Sequence, residues 1–600
     1  MKASELVRKS LDLLTIGEKW RLVILLIAIL VVGILQMLGV GSIVPLLGML
    51  ADPGSSQSES VTEYVRGFYD FSSTDSIVIF LAATAFGVIV VSNLLSAATF
   101  WFMFRLVWSI QSRLSTDLLA RYMSHPYEVL LGKNPAEAEK NILVEVHIFT
   151  NGVVLPVLKL SAAGVVVILV AGFLVIFNPV LALIATSVLG LGYFASFLIV
   201  RRKLALAGER RVVANGDRFR AVNEAIAGAK EIQILGRTQE FVARYQAPAN
   251  RYARTTSLQQ ILADMPRYAI EILAFGSVML AALYVAVSTG DLKTVAPVLG
   301  VYVVAGYRLM PAMQKVYNAW SQIRFNRAVV DDIYAAHVVG DSTDQLRKQP
   351  ADALEKLNES INIVDLDYHY PTTPEIVIDS LSLEIKKGQT VSLIGETGSG
   401  KTTIAELLIG VLKPVSGTVE IDGKSLNDSN IRSWQDQIGY VPQEIYLIDD
   451  SISSNIALGV PISEIDFDAV QRAATIANID SFVQNELPEK YETIVGDRGV
   501  RLSGGQRQRI GIARALYHNP SVLVFDEATS NLDQETEASL HEALERVMDD
   551  MTVIIVAHRL NTTQSSDMIY VLDEGRIVGS GKYSDIVSSE GTLREPYSRN

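Results

Sequence analysis

At 600 residues, with 49% hydrophobic side chains and a mean hydropathy of +0.28, the chain is too apolar for a purely soluble protein of its size and long enough for several domains. The formal charge of -13 hides an asymmetry, because basic residues crowd particular loops of the first half. The lack of cysteine excludes disulfides, thiolate metal sites and a cysteine peptidase domain, and leaves the redox compartment undetermined.

Residues 1–20 place Leu6, Val7, Leu11 and Leu14 at helical spacing, with Lys2, Arg8, Lys9 and Lys19 among them and no cleavage site after the apolar run that follows. This predicts an amphipathic helix at the membrane interface and not a signal peptide. Apolar runs near 21–50, 77–107, 152–177, 179–200, 264–288 and 294–316 are each of about the length, roughly 20 residues, that crosses a bilayer. A helical membrane domain with six spans is therefore predicted over 21–335.

Charge in the connections sets the orientation. The segment 201–263 carries Arg201, Arg202, Lys203, Arg210, Arg211, Arg218, Arg220, Lys230, Arg237, Arg244, Arg251 and Arg254, whereas 51–76 has only Arg66 against Asp52, Glu59, Glu63, Asp70 and Asp75. The basic connections belong in the cytosol, together with both termini. Connections 108–151 and 201–263 are too long for turns and read as helices continuing out of the membrane, as over Val222 to Phe241. In the first external loop Val61, Tyr64, Val65, Phe68 and Phe71 recur at three- and four-residue intervals. That pattern suits either a helix lying on the outer membrane surface or an aromatic plug packed on neighbouring span ends.

Basic residues also lie in or beside the spans: Arg105, Lys159, Arg267, Arg308 and Lys315. Counting about 1.5 Å per residue from the outer ends puts Arg308 some 22 Å deep and Arg267 and Lys159 about 30 Å deep, all in the inner-leaflet half. An intramembrane arginine is costly unless it faces a wet cavity or a partner. Arg308 is read as facing inward to a cavity, with Glu271 as an alternative ion-pair partner, while Arg267, Lys159 and Lys315 suit positive-inside anchors that snorkel to the interface.

After Ala336 the composition turns polar, through Asp341, Ser342, Thr343, Asp344 and Gln345 to Pro350, which sets a linker over 336–359 and a second domain over 360–590. Here short β-branched runs (Thr390 to Ile394, Ser521 to Phe525, Thr552 to Val556) alternate with helical stretches, the pattern of an α/β sheet core. Between the first of these strands and a helix starting near Lys401 lies Gly395-Glu396-Thr397-Gly398-Ser399-Gly400-Lys401-Thr402-Thr403, a phosphate-binding loop. Glycines let the backbone approach phosphates, the amides and helix terminus meet negative charge, and Lys401 reaches toward the β- and γ-phosphates. Thr402 is placed to ligate Mg2+ through its hydroxyl. Asp526, ending the strand Val522 to Phe525, is placed to hold the same ion, and Glu527 beside it is the expected general base that positions or activates the attacking water.

Leu502-Ser503-Gly504-Gly505-Gln506, about twenty residues before that strand, makes the domain resemble the ATP-binding-cassette (ABC) ATPases. Six spans followed by one such ATPase resemble the half-transporters of the type IV ABC exporter fold. The resemblance implies a dimer, here of two identical chains, in which Ser503, Gly504, Gly505 and Gln506 of one chain close over ATP held by the other, so that hydrolysis frees the interface. It further implies that His558 senses the γ-phosphate, that Gln443 in Tyr440-Val441-Pro442-Gln443 approaches Mg2+ and water, and that Tyr370 before Pro371 stacks on adenine. Asp533 in Ser530-Asn531-Leu532-Asp533 matches the loop that communicates across the dimer, with Asn531 where alanine is usual. Val495-Gly496-Asp497-Arg498-Gly499 resembles the exporter segment that contacts coupling helices, with Asp497 where glutamate is usual. By the same resemblance the coupling helices fall near Asn134 to Ile142 and Gly236 to Tyr245.

A narrower likeness rests on Met265-Pro266-Arg267-Tyr268 through Glu271, Tyr307-Arg308-Leu309-Met310-Pro311 and Lys133-Asn134-Pro135-Ala136-Glu137. These segments and the external stretch look like the PglK-type flippases of lipid-linked oligosaccharides. That implies ATP- and Mg2+-dependent flipping of a polyprenyl-diphosphate-linked glycan, as in protein glycosylation, from the inner to the outer face of a bacterial plasma membrane, with Arg308 and Arg267 toward the cargo. The external helix would guide the polyprenyl tail. Ser92 and Asn93 stand where that family has a further basic residue. The alternatives are an exporter of lipid A, phospholipid or hydrophobic drugs, and a non-transporting regulatory membrane ATPase. No nucleic acid partner is expected.

Overall fold

The computed structural model describes residues 3–51, 62–67, 71, 73–132, 135–177, 179–289, 292–338, 353–371, 373, 375–526, 551–557 and 563–588. The chain forms two compact units, one of Met1–His125 with Lys133–Thr343, the other of Pro126–Gly132 with Asp344–Asn600.

The first unit is helical. A short helix, Ala3–Asp12, precedes Ile16–Gly41 and Ile43–Ala51, and long helices follow at Thr74–Met123, Leu155–Phe177, Pro179–Ala227, Thr238–Thr289 and Leu292–Val338. Four of the six predicted spans (77–107, 179–200, 264–288 and 294–316) lie inside single helices, the first is divided at Ser42, and 152–177 begins in a short π-helical segment ahead of Leu155–Phe177. Among the described residues, Ile16–Leu47, Thr74–Met123 and Pro135–Ile176 contain stretches long and apolar enough to cross a membrane. At 50 residues, Thr74–Met123 is about 75 Å long, so it extends well past a hydrocarbon core of about 30 Å. Its start is fixed by Ser73, whose hydroxyl caps the Ser76 amide. Thr15 and Glu18 form a reciprocal capping box before the first span, and Glu18 also takes Arg113 Nε at 2.7 Å.

Beyond the apolar windows the helices are held by a core of their own. Leu106, Ile110, Leu114 and Leu118 recur every four residues on one face and pack on Val146, Phe149 and Val153 and on Val329, Val330 and Ile333. Gly208 lets two helices meet closely, since a Cβ there would lie 1.8 Å from the Phe325 carbonyl oxygen. Two π-helical segments, Lys140–Glu145 and Thr150–Val154, interrupt the regular turns, and Glu145 at the end of the first is fully buried. Its carboxylate accepts Arg211 Nη2 at 3.3 Å and Asn215 Nδ2 at 3.0 Å.

In the external loop, residues 62–66 are helical. Val65 is buried with Met49 and Ile77, and Phe71 packs on the same cluster, so that face of the stretch plugs the span ends while Tyr64 points outward. Val61 and Phe68 lie outside the described residues.

The second unit carries two sheets. β1 (Ser360–Tyr368), β2 (Ile378–Lys386), β4 (Ser416–Ile421) and β5 (Lys424–Ser425) form an antiparallel sheet in the order β2-β1-β4-β5. β3 (Thr390–Gly395), β6 (Ile438–Val441), β7 (Val522–Asp526), β8 (Thr552–Ala557), β9 (Met568–Asp573) and β10 (Arg576–Gly581) form the other, in the order β10-β9-β3-β8-β7-β6. It is parallel from β9 to β6, with β10 antiparallel at the edge. β7 is buried along its whole length, which explains its unbroken apolar run.

The short helix between the first two long ones is Tyr127–Leu131, entered through Pro126 and grouped with the second unit, whereas Pro135–Glu139 belongs to the first. The segment 134–142, where a coupling helix was expected, thus begins with Pro135–Glu139, and Tyr127–Leu131 lies about two turns ahead of it. In the other connection the short helix is Ala229–Ile234, ahead of Gly236, whose φ of +65 marks the turn into Thr238–Thr289. The expected 236–245 stretch starts just past it.

Candidate functional site

β3 delivers the chain to the C-terminal edge of the parallel strands, where ligands of α/β sheets bind. There the phosphate loop turns into the helix Lys401–Ile409. A Cβ on Gly395 would lie 2.4 Å from Leu572 O and 2.5 Å from Ser399 Oγ, and Gly400 has a φ of +97 with Ile378 Cδ1 only 2.6 Å from where its Cβ would be. Side chains at either position would break the loop. Gly398 also has a positive φ.

Lys401 is buried, and its ammonium donates to the carbonyls of Gly395 (2.9 Å) and Glu396 (2.8 Å), which hold it over the loop. Ser399 is buried as well, and its hydroxyl makes no hydrogen bond to the described residues, an orphan that a phosphate oxygen would satisfy. Thr402 Oγ1 donates to Asp526 Oδ1 at 3.2 Å. A hydroxyl and a carboxylate side by side at the start of a helix are hard oxygen donors suited to Mg2+. These features fit ATP with Mg2+: Lys401, Ser399 and the loop amides for phosphate, Thr402 and Asp526 for the ion. Thr397 and Thr403 bracket this cradle, and Thr403 Oγ1 lies 3.1 Å from the Tyr370 hydroxyl.

Tyr370 is therefore anchored beside the phosphate loop, with its ring edge-on to Tyr368 at 5.2 Å. Gln443 is exposed two residues past β6, and Val441 of β6 pairs with Phe525 of β7, so Gln443 and Asp526 leave adjacent strand ends. The signature builds a different feature: Ser503 caps the helix Gly504–Leu516, accepting from the Gln506 amide at 3.2 Å while Gln506 Oε1 accepts from the Ser503 amide at 2.8 Å. Ser503 is exposed and Gly504 and Gly505 carry no side chain, which leaves an open helix N-terminus for an anion brought from outside the chain. Glu527, Asn531, Asp533 and His558 lie outside the described residues.

Three residues escaped the motif reading. Arg514 donates to the backbone carbonyls of Asn455 and Tyr446, each at 2.8 Å, tying the signature helix to the loop after Gln443, and burial pulls its pKa down to about 10. Tyr440 Oη reaches Asp526 Oδ2 at 3.5 Å. Glu406, one helical turn past Thr402, has its carboxyl pushed up to about 7, chiefly by burial and then by the charge of Asp526. A tyrosine inside a motif and a glutamate amid the apolar Ile404 to Ile409 were the available signals.

Among the basic residues of the spans, Arg267 Nε pairs with Glu271 Oε1 at 2.8 Å, one turn along its own helix, so Glu271 serves Arg267 and not Arg308. Arg308 is half-buried. Lys159, Lys315 and Arg105 lie over the rings of Phe104, Phe100 and Trp101 at 5.5, 5.9 and 5.3 Å.

Family models agree with this division. Residues 20–297 match the ABC transporter transmembrane region and residues 378–530 the ABC transporter family. An ATP-dependent lipid A-core flippase of Alkalilimnicola ehrlichii is 32% identical over 67% of this chain and 68% of its own length. The chain is an ABC exporter half-transporter. A second relative, the lipid A-core flippase of Thiobacillus denitrificans, is also 32% identical, over 70% of the exporter and 71% of its own length. ABC transporter B family member 17 of Arabidopsis thaliana is 44% identical over 40% of the exporter and 19% of that protein. In fold, the exporter matches a bacterial Atm1-family ABC exporter with ATP bound, at a TM-score of 0.74 and 23% identity over 92% of this chain and 96% of that one. Its ATPase is accordingly of the kind that couples ATP hydrolysis to transport, on the type IV exporter fold.

Proposed function

We propose that the exporter is an ATP-driven flippase that moves a phosphorylated glycolipid of the lipid A-core kind from the cytosolic to the outer leaflet of a bacterial plasma membrane. The observation that carries this reading is the likeness, over two thirds of both chains, to proteins named ATP-dependent lipid A-core flippases. The first unit supports a lipid cargo. An almost wholly apolar pocket of about 360 Å³ among Leu160, Val167, Tyr193, Phe197, Tyr317 and Trp320 has the lining a hydrocarbon chain requires. Arg308 would meet the phosphate, since guanidinium forks suit its oxygens. The polyprenyl-diphosphate glycan is the second reading, carried by Tyr307-Arg308-Leu309-Met310-Pro311 and Met265-Pro266-Arg267-Tyr268.

In this reading the working form is a dimer of two identical chains with the ATPases in the cytosol. Lys401 and the loop amides hold the β- and γ-phosphates, Thr402 and Asp526 hold Mg2+, and Gln443 approaches the ion from the next strand end. Mg2+ supplies charge neutralisation at the transferring phosphoryl group. Glu527 takes the proton of the attacking water and His558 orients that water, while Ser503 to Gln506 of the other chain close the site and Asp533 links the two sites. Tyr370 carries the adenine.

The test is reconstitution in liposomes, following ATP-dependent loss of a lipid A-core glycolipid and, in parallel, of a polyprenyl-diphosphate glycan from the leaflet facing the ATPases, with Glu527→Gln as control. Movement of the first that requires Glu527 supports the proposal. Movement of the second alone replaces it with the oligosaccharide reading, and movement of neither in an ATP-hydrolysing preparation refutes both.

A further inference from the structure

Thr238–Thr289 runs as one helix through Pro266. Proline has no amide hydrogen and its ring crowds the carbonyl four residues back, so Leu262 loses its helical donor. A carbonyl freed in this way among packed helices has to find a donor elsewhere. The Tyr317 hydroxyl supplies it, donating to Leu262 O at 3.2 Å. The neighbouring Ala263 carbonyl takes Gln314 Nε2, also at 3.2 Å. Gln314 is itself held in place, since its Oε1 accepts the Tyr193 hydroxyl at 3.0 Å and its Nε2 also donates to Asn318 Oδ1 at 2.9 Å. Side chains of Pro179–Ala227 and Leu292–Val338 thus meet a third helix just ahead of its proline.

The apolar pocket of the helical unit adjoins this junction. Tyr193 and Tyr317 lie in its wall with ring centroids 5.7 Å apart, and both pack on Ile270, one turn past Pro266. Tyr317 leads on to Trp320 at 5.9 Å, and Trp320 to Phe197 at 4.2 Å. On Leu292–Val338, Gln314, Tyr317 and Asn318 form the face toward the proline, while Met313, Tyr317 and Trp320 form the face toward the pocket. Tyr317 belongs to both. Because the two tyrosine hydroxyls are bonded to groups outside the pocket, their rings are fixed in its wall.

We propose that Tyr317 and Gln314 are positioning residues which, by holding the backbone that Pro266 opens, set the shape of a site for one hydrocarbon chain of the cargo. This rests on the lipid-cargo reading proposed above and concerns the chain, whichever head group it bears. In a bilayer such a chain is already out of water, so what the pocket offers is close packing against fixed rings. A ring that swings free forfeits that packing.

The experiment uses the full-length exporter in liposomes with a lipid A-core glycolipid that carries a diazirine on one acyl chain. A polyprenyl-diphosphate glycan and a phosphatidylethanolamine bearing the same photoreactive group form parallel arms. One of the two glycolipids should label peptides covering 193–197 and 313–320 in preference to the phospholipid. Tyr317→Phe keeps the ring and removes the hydroxyl. It should raise the KM for the flipped lipid about fivefold, the size of one net hydrogen bond, with kcat changed by less than about twofold. Pro266→Ala gives the helix back its amide donor, so in that background Tyr317→Phe should change KM by less than about twofold. Labelling confined to other peptides during active flipping, equal labelling by the phospholipid, or the same Tyr317→Phe effect in both backgrounds overturns the proposal. If neither glycolipid is flipped yet one labels the pocket in this pattern, the chain site stands and the flippase reading falls. Should Pro266→Ala not fold, the labelled peptides and the KM effect of Tyr317→Phe carry the test.

Discussion

The two units of the exporter use buried charge in opposite ways. In the helical unit, Glu145 and Arg211 are buried and bonded to each other, and Glu145 also accepts from Asn215, far along the chain from any nucleotide motif. In the ATPase unit, buried Lys401 is held on two carbonyls and buried Asp526 on a threonine hydroxyl, in a loop whose glycines keep space open. The first arrangement is a closed ion pair that fixes helices. The second is an open arrangement of donors and acceptors waiting on a ligand's charges. Charge removed from the closed pair should therefore cost stability, and charge removed from the open one should cost activity.

The sharpest way to break that contrast is Arg211→Ala. Removing Arg211 leaves the buried Glu145 carboxylate with Asn215 as its one remaining donor among the described residues, and breaking a buried pair in this way costs about 3–5 kcal/mol. Thermal unfolding of the detergent-solubilised exporter should begin at markedly lower temperature, while ATP binding by the protein that remains folded is unchanged. A melting profile like that of the unsubstituted protein would mean the pair is not a structural fastener. The next effect belongs to the other unit. Lys401→Ala removes a single charge from a loop that other contacts already shape, so the melting profile should hold. Hydrolysis should nevertheless fall by about 100- to 1000-fold, as when one preorganised electrostatic contact is lost. A steady-state phosphate-release assay distinguishes this from mere weakening of ATP affinity.

The same contrast explains what could be read from the amino acids. The phosphate loop and β7 were legible because their chemistry demands fixed types at fixed spacing: glycines at Gly398 and Gly400 for positive φ, and an unbroken apolar run before Asp526 because β7 is buried on both faces. The spans were legible through length alone, and length says nothing about partners. Glu271 was offered as a partner for Arg308, whereas helical geometry gives it to Arg267, four positions away on its own helix. The helix Tyr127–Leu131 was missed because five residues are too few to display a period, and the family resemblance drew the reading to Asn134 to Ile142. The π-helical turns around Glu145 leave no mark in hydropathy at all. As for cargo, the PglK-like segments around Arg267 and Arg308 pointed to a lipid-linked oligosaccharide, whereas relatives matched over both units favour lipid A.

The smallest effect tests whether the open site tolerates charge near its edge. Glu406 has its carboxyl raised to about 7 from an ordinary 4.5, by burial first and Asp526 second. A raised folded pKa means that the protonated form contributes stability that is fully present below about 4.5 and is lost as pH rises toward 7, because over that window the unfolded chain gives up a proton that the folded chain keeps. Above 7 the loss is complete and constant. Glu406→Gln removes this titration. Its melting temperature relative to the unsubstituted exporter, without nucleotide or Mg2+, should climb across that window and level off above it. Because Glu406 is only half-buried, solvent screens part of the effect and the climb should be a few degrees at most. A difference that stays flat from pH 4.5 to 7 would place Glu406 outside the field of Asp526, and the ATPase unit would then hold its metal-site charge as locally as the helical unit holds Glu145.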